Sequence, residues 1–268
     1  PTWPVHIPLL GSVGLQFETY RYYNPDDHSV DFDAMVADLE RAKAGDVVLL
    51  HGCCHNPCGA DLRPEQWAVV ADIAERQGLI PFIDTAYLGL GDGLDEDATG
   101  LRLLVERVPE VIVAASCSKN MGLYRERTGA VMFSAKNSER VAAMVSQALV
   151  AARRIYSMPP AHGAILAGQL LSDAALNQVW KSELKTMCER VNGLRGELVQ
   201  KLGAVSERDF GFIAREKGMF SFLGLSLDQT RALREDHGVY MLDSSRINVA
   251  GVNATNIDYL TQAIAKVI

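Results

Sequence analysis

The sequence predicts an α/β protein built on a mostly parallel sheet with helices on both faces. Short apolar runs recur at residues 47–50, 79–83, 111–115 and 129–133. Stretches with helical spacing alternate with them, at residues 64–77, 98–108 and 138–152. The chain has 268 residues, 48% of them hydrophobic and 22% charged, which suits a buried core and excludes disorder. Strands covered on both faces read as continuous apolar runs, and crossovers through helices make such sheets parallel.

The elements follow in order. The run at 47–50 is a short strand, and the helix at 64–77 opens on Pro64, whose missing N–H removes no bond in a first turn. The run at 79–83 ends at Asp84, and a helix at 98–108 leads to the strand at 111–115. A strand at 129–133 and a helix at 138–152 complete the pattern. Residues 173–204 differ: Leu176, Val179, Trp180, Leu184, Met187, Val191, Leu194, Leu198 and Leu202 recur every three or four positions. That is one amphipathic stripe on a helix about 48 Å long, with Gly203 as its stop signal. A helix of that length is expected to leave one domain, 1–186, and enter a second, smaller α+β domain, 187–268. The second domain has apolar segments at 219–225 and 247–249 and helices at 227–236 and 255–267.

Composition bounds the function. A net charge of −7 argues against nucleic acid or an anionic membrane as partner. No apolar run approaches the ~20 residues that span a bilayer, and the first residues show no charged-then-apolar leader. Five cysteines, few and odd in number, argue against a disulfide framework. The expected compartment is the cytoplasm.

In open α/β sheets ligands bind beyond the carboxyl ends of the strands, so polar residues there carry the functional reading. Lys119 lies in Ser116-Cys117-Ser118-Lys119-Asn120, just past the run at 111–115. A lysine in that position is ordinarily solvated. Ser116 and Ser118 before it and Arg127 after it point instead to an anion site such as one for phosphate. An amine beside a phosphate site suits an enzyme whose lysine condenses with a cofactor aldehyde. Asp84 is either a helix N-cap or turn residue, or a buried carboxylate paired with a cationic ring nitrogen such as that of pyridoxal phosphate (PLP). Tyr87, three residues on, is spaced to donate to that cofactor's phenolic oxygen.

Two other segments invite alternatives. Residues 51–59 pack two histidines and three cysteines into nine positions. The spacing is not a paired C-x₂-C knuckle and no second ligand cluster lies elsewhere, so no metal is expected. Small buried thiols at a strand end account for Cys53 and Cys54. Asn56-Pro57 reads as a turn, with Asn56 structural or facing a ligand. Gly89, Gly91 and Gly93 lack the G-x-G-x-x-G spacing of a dinucleotide loop and read as a flexible loop. No G-x-S-x-G hydrolase elbow is present.

Taken together, HGCCHNPCGADLRPEQW from His51, FIDTAYLG from Phe82 and SCSKNMGLYRERTG from Ser116 resemble the fold-type I, PLP-dependent aspartate/aromatic aminotransferases. YSMPPAHGA from Tyr156, GMFSF from Gly218 and SRINVAG from Ser245 extend the resemblance, in the right order, over essentially the whole chain. GADLRPEQW and RRIYSMPP bring it nearer the bacterial aromatic branch. The resemblance implies a seven-stranded-type, mostly parallel sheet in a large PLP-binding domain over 1–186, incomplete at its N-terminus, and a small C-terminal domain over 187–268.

By the same resemblance, Lys119 is the lysine that bonds the cofactor and carries the proton, and Asp84 is the partner of the pyridine nitrogen. Tyr87 and Asn56 flank the phenolic oxygen, and Ser116, Ser118 and Arg127 are phosphate ligands. Trp3 stacks on the ring, where a terminal Trp would otherwise be plain packing, and His6 buttresses the aspartate. Arg246, otherwise a surface residue, grips the substrate α-carboxylate, and Phe220 and Asn56 line the substrate site. Arg153 serves the neighbouring subunit's site, which implies a homodimer. The implied activity moves an amino group from an aromatic or dicarboxylic L-amino acid to a 2-oxo acid such as 2-oxoglutarate. The alternatives are an aspartate aminotransferase proper, a PLP-fold lyase or decarboxylase, and a non-catalytic PLP-binding regulatory module.

Cys58 stands where the family commonly has Thr, and Leu88 where it often has Gln. Members of the family also carry more chain ahead of the segment resembling PTWPVH, including a glycine/serine/threonine turn that cradles the phosphate. The chain is accordingly expected to be part of a longer enzyme and to hold PLP weakly or not at all by itself.

Overall fold

Regular structure begins with α1 (His6–Gly11), the antiparallel pair β1 (Tyr23–Asn24) and β2 (Ser29–Val30), and α2 (Phe32–Leu39). The computed structural model describes all 268 residues, which divide into two compact units. One comprises Leu39–Cys53 and Arg63–Thr186; the other comprises Pro1–Asp38, Cys54–Leu62 and Met187–Ile268.

The first of these is the sheet unit. It contains β3 (Val47–His51), α3 (Pro64–Gln77), β4 (Ile80–Thr85), α4 (Leu94–Asp97), α5 (Thr99–Arg107), β5 (Val111–Ser116) and β6 (Gly129–Ser134). The strand order is β3-β4-β5-β6, with the first three parallel and β6 antiparallel to β5. The α/β class and mostly parallel sheet read from the sequence are therefore what the chain adopts, but the sheet has four strands and not the seven that the resemblance implies. Side chains of Val70, Ile73, Ile83, Leu104, Val111 and Val113 are buried in the core. Helix α3 stops at Gly78, whose left-handed φ of 69° lets its N–H reach the Ala74 carbonyl. It packs on α5, where the Trp67 indole covers Gly100.

Strand β4 runs past the end expected at Ile83. Asp84 and Thr85 pair in register with Ala114 and Ala115 of β5, and Thr85 Oγ1 donates to the Ala114 carbonyl at 3.2 Å. Asp84 is thus a strand residue and not a helix N-cap. The unit continues through α6 (Ser138–Tyr156), α7 (His162–Ser172) and the first part of α8 (Ala174–Val205). Helix α6 extends beyond residue 152 because no breaker intervenes before Ser157, and α7 was not expected from the sequence. Asp173 Oδ1 caps α8 by accepting from the N–H groups of Ala175 and Leu176, both at 2.9 Å. The helix also runs through Gly203, the expected stop. A helical glycine costs only about 1 kcal/mol, and the buried Leu194, Leu198 and Leu202 around it offset that.

The second unit takes α8 from Met187 onward, α9 (Phe212–Arg215), the antiparallel pair β7 (Phe220–Phe222) and β8 (Arg246–Asn248), α10 (Leu227–His237) and α11 (Ile257–Val267). Leu198, Leu202, Ile213, Leu223, Leu233 and Ile264 are among the residues of its core. A capping box opens α10: Ser226 Oγ accepts from Gln229 N at 3.2 Å, and Gln229 Oε1 accepts from Ser226 N at 2.8 Å. None of the five cysteines forms a disulfide, and no helix is long and apolar enough to cross a membrane.

Candidate active site

Parallel pairing of β4 with β5 brings the residues at their carboxyl ends side by side. Asp84 pairs with Ala114, and Lys119 follows the end of β5 by three residues. The chain turns tightly there: Ser118 N donates to Ser116 Oγ at 3.1 Å, and Gly122 N donates to the Lys119 carbonyl at 3.3 Å. Lys119 Nζ lies 4.7 Å from the centroid of the Tyr87 ring and 5.2 Å from that of Tyr124. Burial pushes the Lys119 pKa below the ordinary lysine value; the Asp84 carboxylate opposes this and the Arg127 guanidinium adds to it. One amine thus feels both a carboxylate and a guanidinium.

Beside it opens a cavity of about 360 Å³ lined by Ser116, Ser118, Arg127 and Thr128, together with Ala115 and residues 129–131. Hydroxyls and a guanidinium form the polar part of that lining, a donor set for an anion. Arg127 adopts a left-handed φ of 53°, with its Nη1 donating to the Tyr124 carbonyl at 3.0 Å. A non-glycine residue in that region carries a penalty of roughly 1–3 kcal/mol, sustained only where the surroundings impose it. Gly129 is obligatory at the cavity wall, since a Cβ there would lie 2.4 Å from the Ala115 carbonyl oxygen.

The loop after Tyr87 is pinned, which corrects the expectation of flexibility. Asp97 Oδ2 accepts from Gly89 N at 2.8 Å and from Gly91 N at 3.0 Å, while Oδ1 accepts from Asp92 N at 2.8 Å. A second tie joins this loop to the lysine turn. Asn120 Nδ2 donates to the Leu88 carbonyl at 3.2 Å, and Trp180 Nε1 donates to the Asn120 carbonyl at 2.7 Å.

In the second unit Arg246 Nη1 donates to Asn56 Oδ1 at 2.9 Å, and the Arg246 guanidinium carbon stands 4.4 Å from the centroid of the Phe220 ring. Asn56 is held by its neighbours: Asp61 accepts from Cys54 N at 2.6 Å and from His55 N at 2.7 Å. Cys58 Sγ meets His55 Nδ1 at 3.2 Å, and burial pushes the Cys58 thiol up to about 12, so it stays protonated at neutral pH. Trp3 and His6 meet edge to face at 5.2 Å, and His6 Nδ1 is 2.8 Å from Thr2 Oγ1. His6 is buried and Trp3 is 38% exposed.

The structure therefore brings Lys119, Asp84, Tyr87, Ser116, Ser118 and Arg127 together in the sheet unit, and Asn56, Phe220 and Arg246 together in the other. Arg153 lies in the last turn of α6, a helix without a buried residue, and joins neither group. Sequence reasoning missed Tyr124, Thr128 and Asp97. Tyr124 and Thr128 lie in GLYRERTG, close behind the lysine. For Asp97 the signal was a cluster of glycines followed by an acidic residue, whose carboxylate satisfies the loop's N–H groups.

The profile of the family "Aminotransferase class I and II" matches residues 1–264. The chain is 47% identical over 269 residues to an aromatic-amino-acid aminotransferase of Paracoccus denitrificans, covering 100% of this chain and 68% of that one. It is 46% identical over 271 residues to an aspartate aminotransferase of Escherichia coli K12, covering 100% and 68%. Among solved structures, the aromatic-amino-acid aminotransferase of Burkholderia pseudomallei, covalently bound to pyridoxal phosphate, superposes with a TM-score of 0.97 at 39% identity, covering 100% of this chain and 67% of that one. With the match running over nearly its whole length, this chain belongs to the class I and II aminotransferases.

Proposed function

We propose that Lys119 is the base of a PLP-dependent aminotransferase that moves an amino group between an aromatic or dicarboxylic amino acid and a 2-oxo acid. The observation that carries this is the Lys119 amine, its pKa lowered by burial and acted on by Asp84 and Arg127, beside the donor-lined cavity. Relatives named for aromatic amino acids and for aspartate stand at 47% and 46% identity, which supports a site accepting both classes.

The residues fit the cofactor. Ser116, Ser118 and Arg127, with Thr128 at the same wall, offer the donors a phosphate takes. Asp84, in the strand beside the lysine turn, supplies a carboxylate for a cationic ring nitrogen. PLP, when bound, supplies an aldehyde for amines and a protonated ring that draws electrons from the substrate's α-carbon.

The chain's own groups do the rest. Lys119 Nζ removes the proton from the substrate α-carbon and later returns one; the lowered pKa leaves more of the amine unprotonated at neutral pH. Tyr87, against which the amine lies, and Asn56 would be the donors for the cofactor's phenolic oxygen. Arg246 binds the substrate α-carboxylate as a planar fork, steadied by Phe220 beneath it and Asn56 beside it. By the family resemblance, Trp3 would be the aromatic group for the cofactor ring and His6 the histidine that supports the aspartate. Arg153, exposed on α6, serves a dicarboxylate's distal group in the neighbouring subunit of a homodimer, with the cytoplasm as the compartment.

The test is Lys119→Ala in the holoenzyme, with phenylalanine or aspartate and 2-oxoglutarate as substrates. Glutamate formation by the parent enzyme and its loss in the variant are expected. Turnover retained by the variant rejects the lysine's role. Alanine and carbon dioxide formed from aspartate by the parent enzyme would make it a decarboxylase.

A further inference from the structure

Arg195 is 1% exposed, and a charge so buried needs a dense set of partners. Its Nη1 donates to the Ile213 carbonyl at 2.9 Å and to Ser221 Oγ at 2.7 Å, with Glu216 Oε2 at 3.5 Å. Its Nη2 donates to the carbonyls of Lys217 at 3.1 Å, Gly218 at 2.7 Å and Phe220 at 2.8 Å. One guanidinium on α8 thus gathers the connection from α9 to β7.

That connection holds two groups of the carboxylate site. Phe220, whose carbonyl Arg195 grips, is the ring beneath Arg246, and β7 pairs Phe222 with Arg246 on β8. Lys217 N donates to the Gly59 carbonyl at 2.7 Å, which ties the same connection to the turn carrying Asn56. Gly59 itself leaves no slack: a Cβ there would lie 2.6 Å from the Phe220 carbonyl oxygen. Ser221 Oγ also donates to Glu216 Oε2, so the acid is held inside the cluster; burial pushes the Glu216 carboxyl up to about 8.

We infer that Arg195 is a positioning residue that sets the Arg246 fork against Phe220 and Asn56, and so fixes the enzyme's affinity for the substrate α-carboxylate. This rests on the reading of Arg246 as the carboxylate grip. A residue acting only on that fork changes ground-state binding and leaves proton transfer at Lys119 alone.

The test compares Arg195→Lys, Ser221→Ala and Arg246→Lys in the holoenzyme. The probe is 3-phenylpropionate, a carboxylate without a transferable amine. Lysine keeps the charge but not the planar fork, so in Arg195→Lys the probe Kd and the amino-acid KM are expected to rise about tenfold, with kcat changed less than about twofold. The cofactor absorbance and its pH midpoint stay where they were. Ser221→Ala, which removes one of these bonds beside Phe220, is expected to raise the probe Kd about threefold, and it carries the test if Arg195→Lys does not fold. If Arg246→Lys weakens the probe while a folded Arg195→Lys and Ser221→Ala do not, the positioning role is overturned. A fall in kcat at unchanged KM overturns it as well. If Arg246→Lys leaves the probe Kd unchanged, the Arg246 reading fails first.

Discussion

Asp97 gives a prediction whose size follows from its contacts. Its carboxylate accepts three backbone N–H groups, from Gly89 and Gly91 at Oδ2 and from Asp92 at Oδ1. Gly89 and Gly91 are buried and Asp92 is exposed, so Asp97→Ala takes the carboxylate acceptor away from two buried donors, while Asp92 N turns to solvent. Each orphaned buried donor costs about 1–3 kcal/mol, which puts the variant roughly 4 kcal/mol below the parent. Asp97→Asn keeps one acceptor oxygen but turns an NH₂ toward an N–H, and is expected to lose about 2 kcal/mol. The assay is urea unfolding of the transition that reports the sheet unit, followed through Trp67 and Trp180. Both variants should lower the midpoint with an unchanged slope, the alanine more than the asparagine. An Asp97→Ala midpoint within about 1 kcal/mol of the parent, or above that of Asp97→Asn, refutes the reasoning that the carboxylate is what fastens the loop after Tyr87.

Two more outcomes follow from the sheet unit. Arg127→Gln removes a cation that lowers the Lys119 pKa, so the midpoint for trinitrophenylation of Lys119 by trinitrobenzenesulfonate, with sulfite leaving, should move to higher pH in cofactor-free protein. The linkage has a definite sign: burial holds the folded pKa of Lys119 below its unfolded value, so between the two the unfolded chain binds more protons and stability rises with pH. Below the folded pKa the whole penalty of burying the charged amine is present, and Arg127→Gln should narrow the window in which stability climbs. Gly100→Ala places a methyl 2.3 Å from the Trp67 ring, between α3 and α5. Overpacking of this kind costs about 1–3 kcal/mol, against a helix-propensity gain of up to about 1 kcal/mol, so a Tm lowered by several degrees is expected in thermal melts.

The elements legible in the sequence are those whose burial is one-sided or complete. Val47–His51, Ile80–Thr85 and Val111–Ser116 are apolar because the sheet buries them, and the stripe of α8 is apolar because two cores need it. Helix α7 escaped notice since its small and apolar residues give no clear face: among them only Gly163 and Ala167 are buried. The β1–β2 pair is two residues long on each side, too short for any periodicity. Lys119 and Asp84 were legible as polar residues breaking apolar runs at strand ends. Arg246 was legible only through the resemblance carried by SRINVAG: by residue type alone it reads as a surface residue, and its partners Phe220 and Asn56 lie 26 and 190 residues away. Arg195 was hidden more deeply, because a charged residue within an amphipathic helix reads as part of the wet face until its six acceptors are seen.

The contrast between Lys119 and Arg195 shows how burial serves two different ends. Both are cations removed from water, and burial opposes the charged form of each. Arg195 meets that cost with carbonyls, a hydroxyl and the Glu216 carboxyl around its fork, so the charge survives and fastens backbone. Lys119 is given two aromatic faces and a second cation within range, with Asp84 opposing, so its proton is loosely held. A guanidinium suits the first task because it does not deprotonate in proteins, and an ammonium suits the second because its pKa yields to its surroundings. Exchanging the two residue types would therefore fail at both positions for opposite reasons: lysine at 195 would lose most of the carbonyls that the fork holds, and arginine at 119 would stay charged where the lysine pKa is lowered.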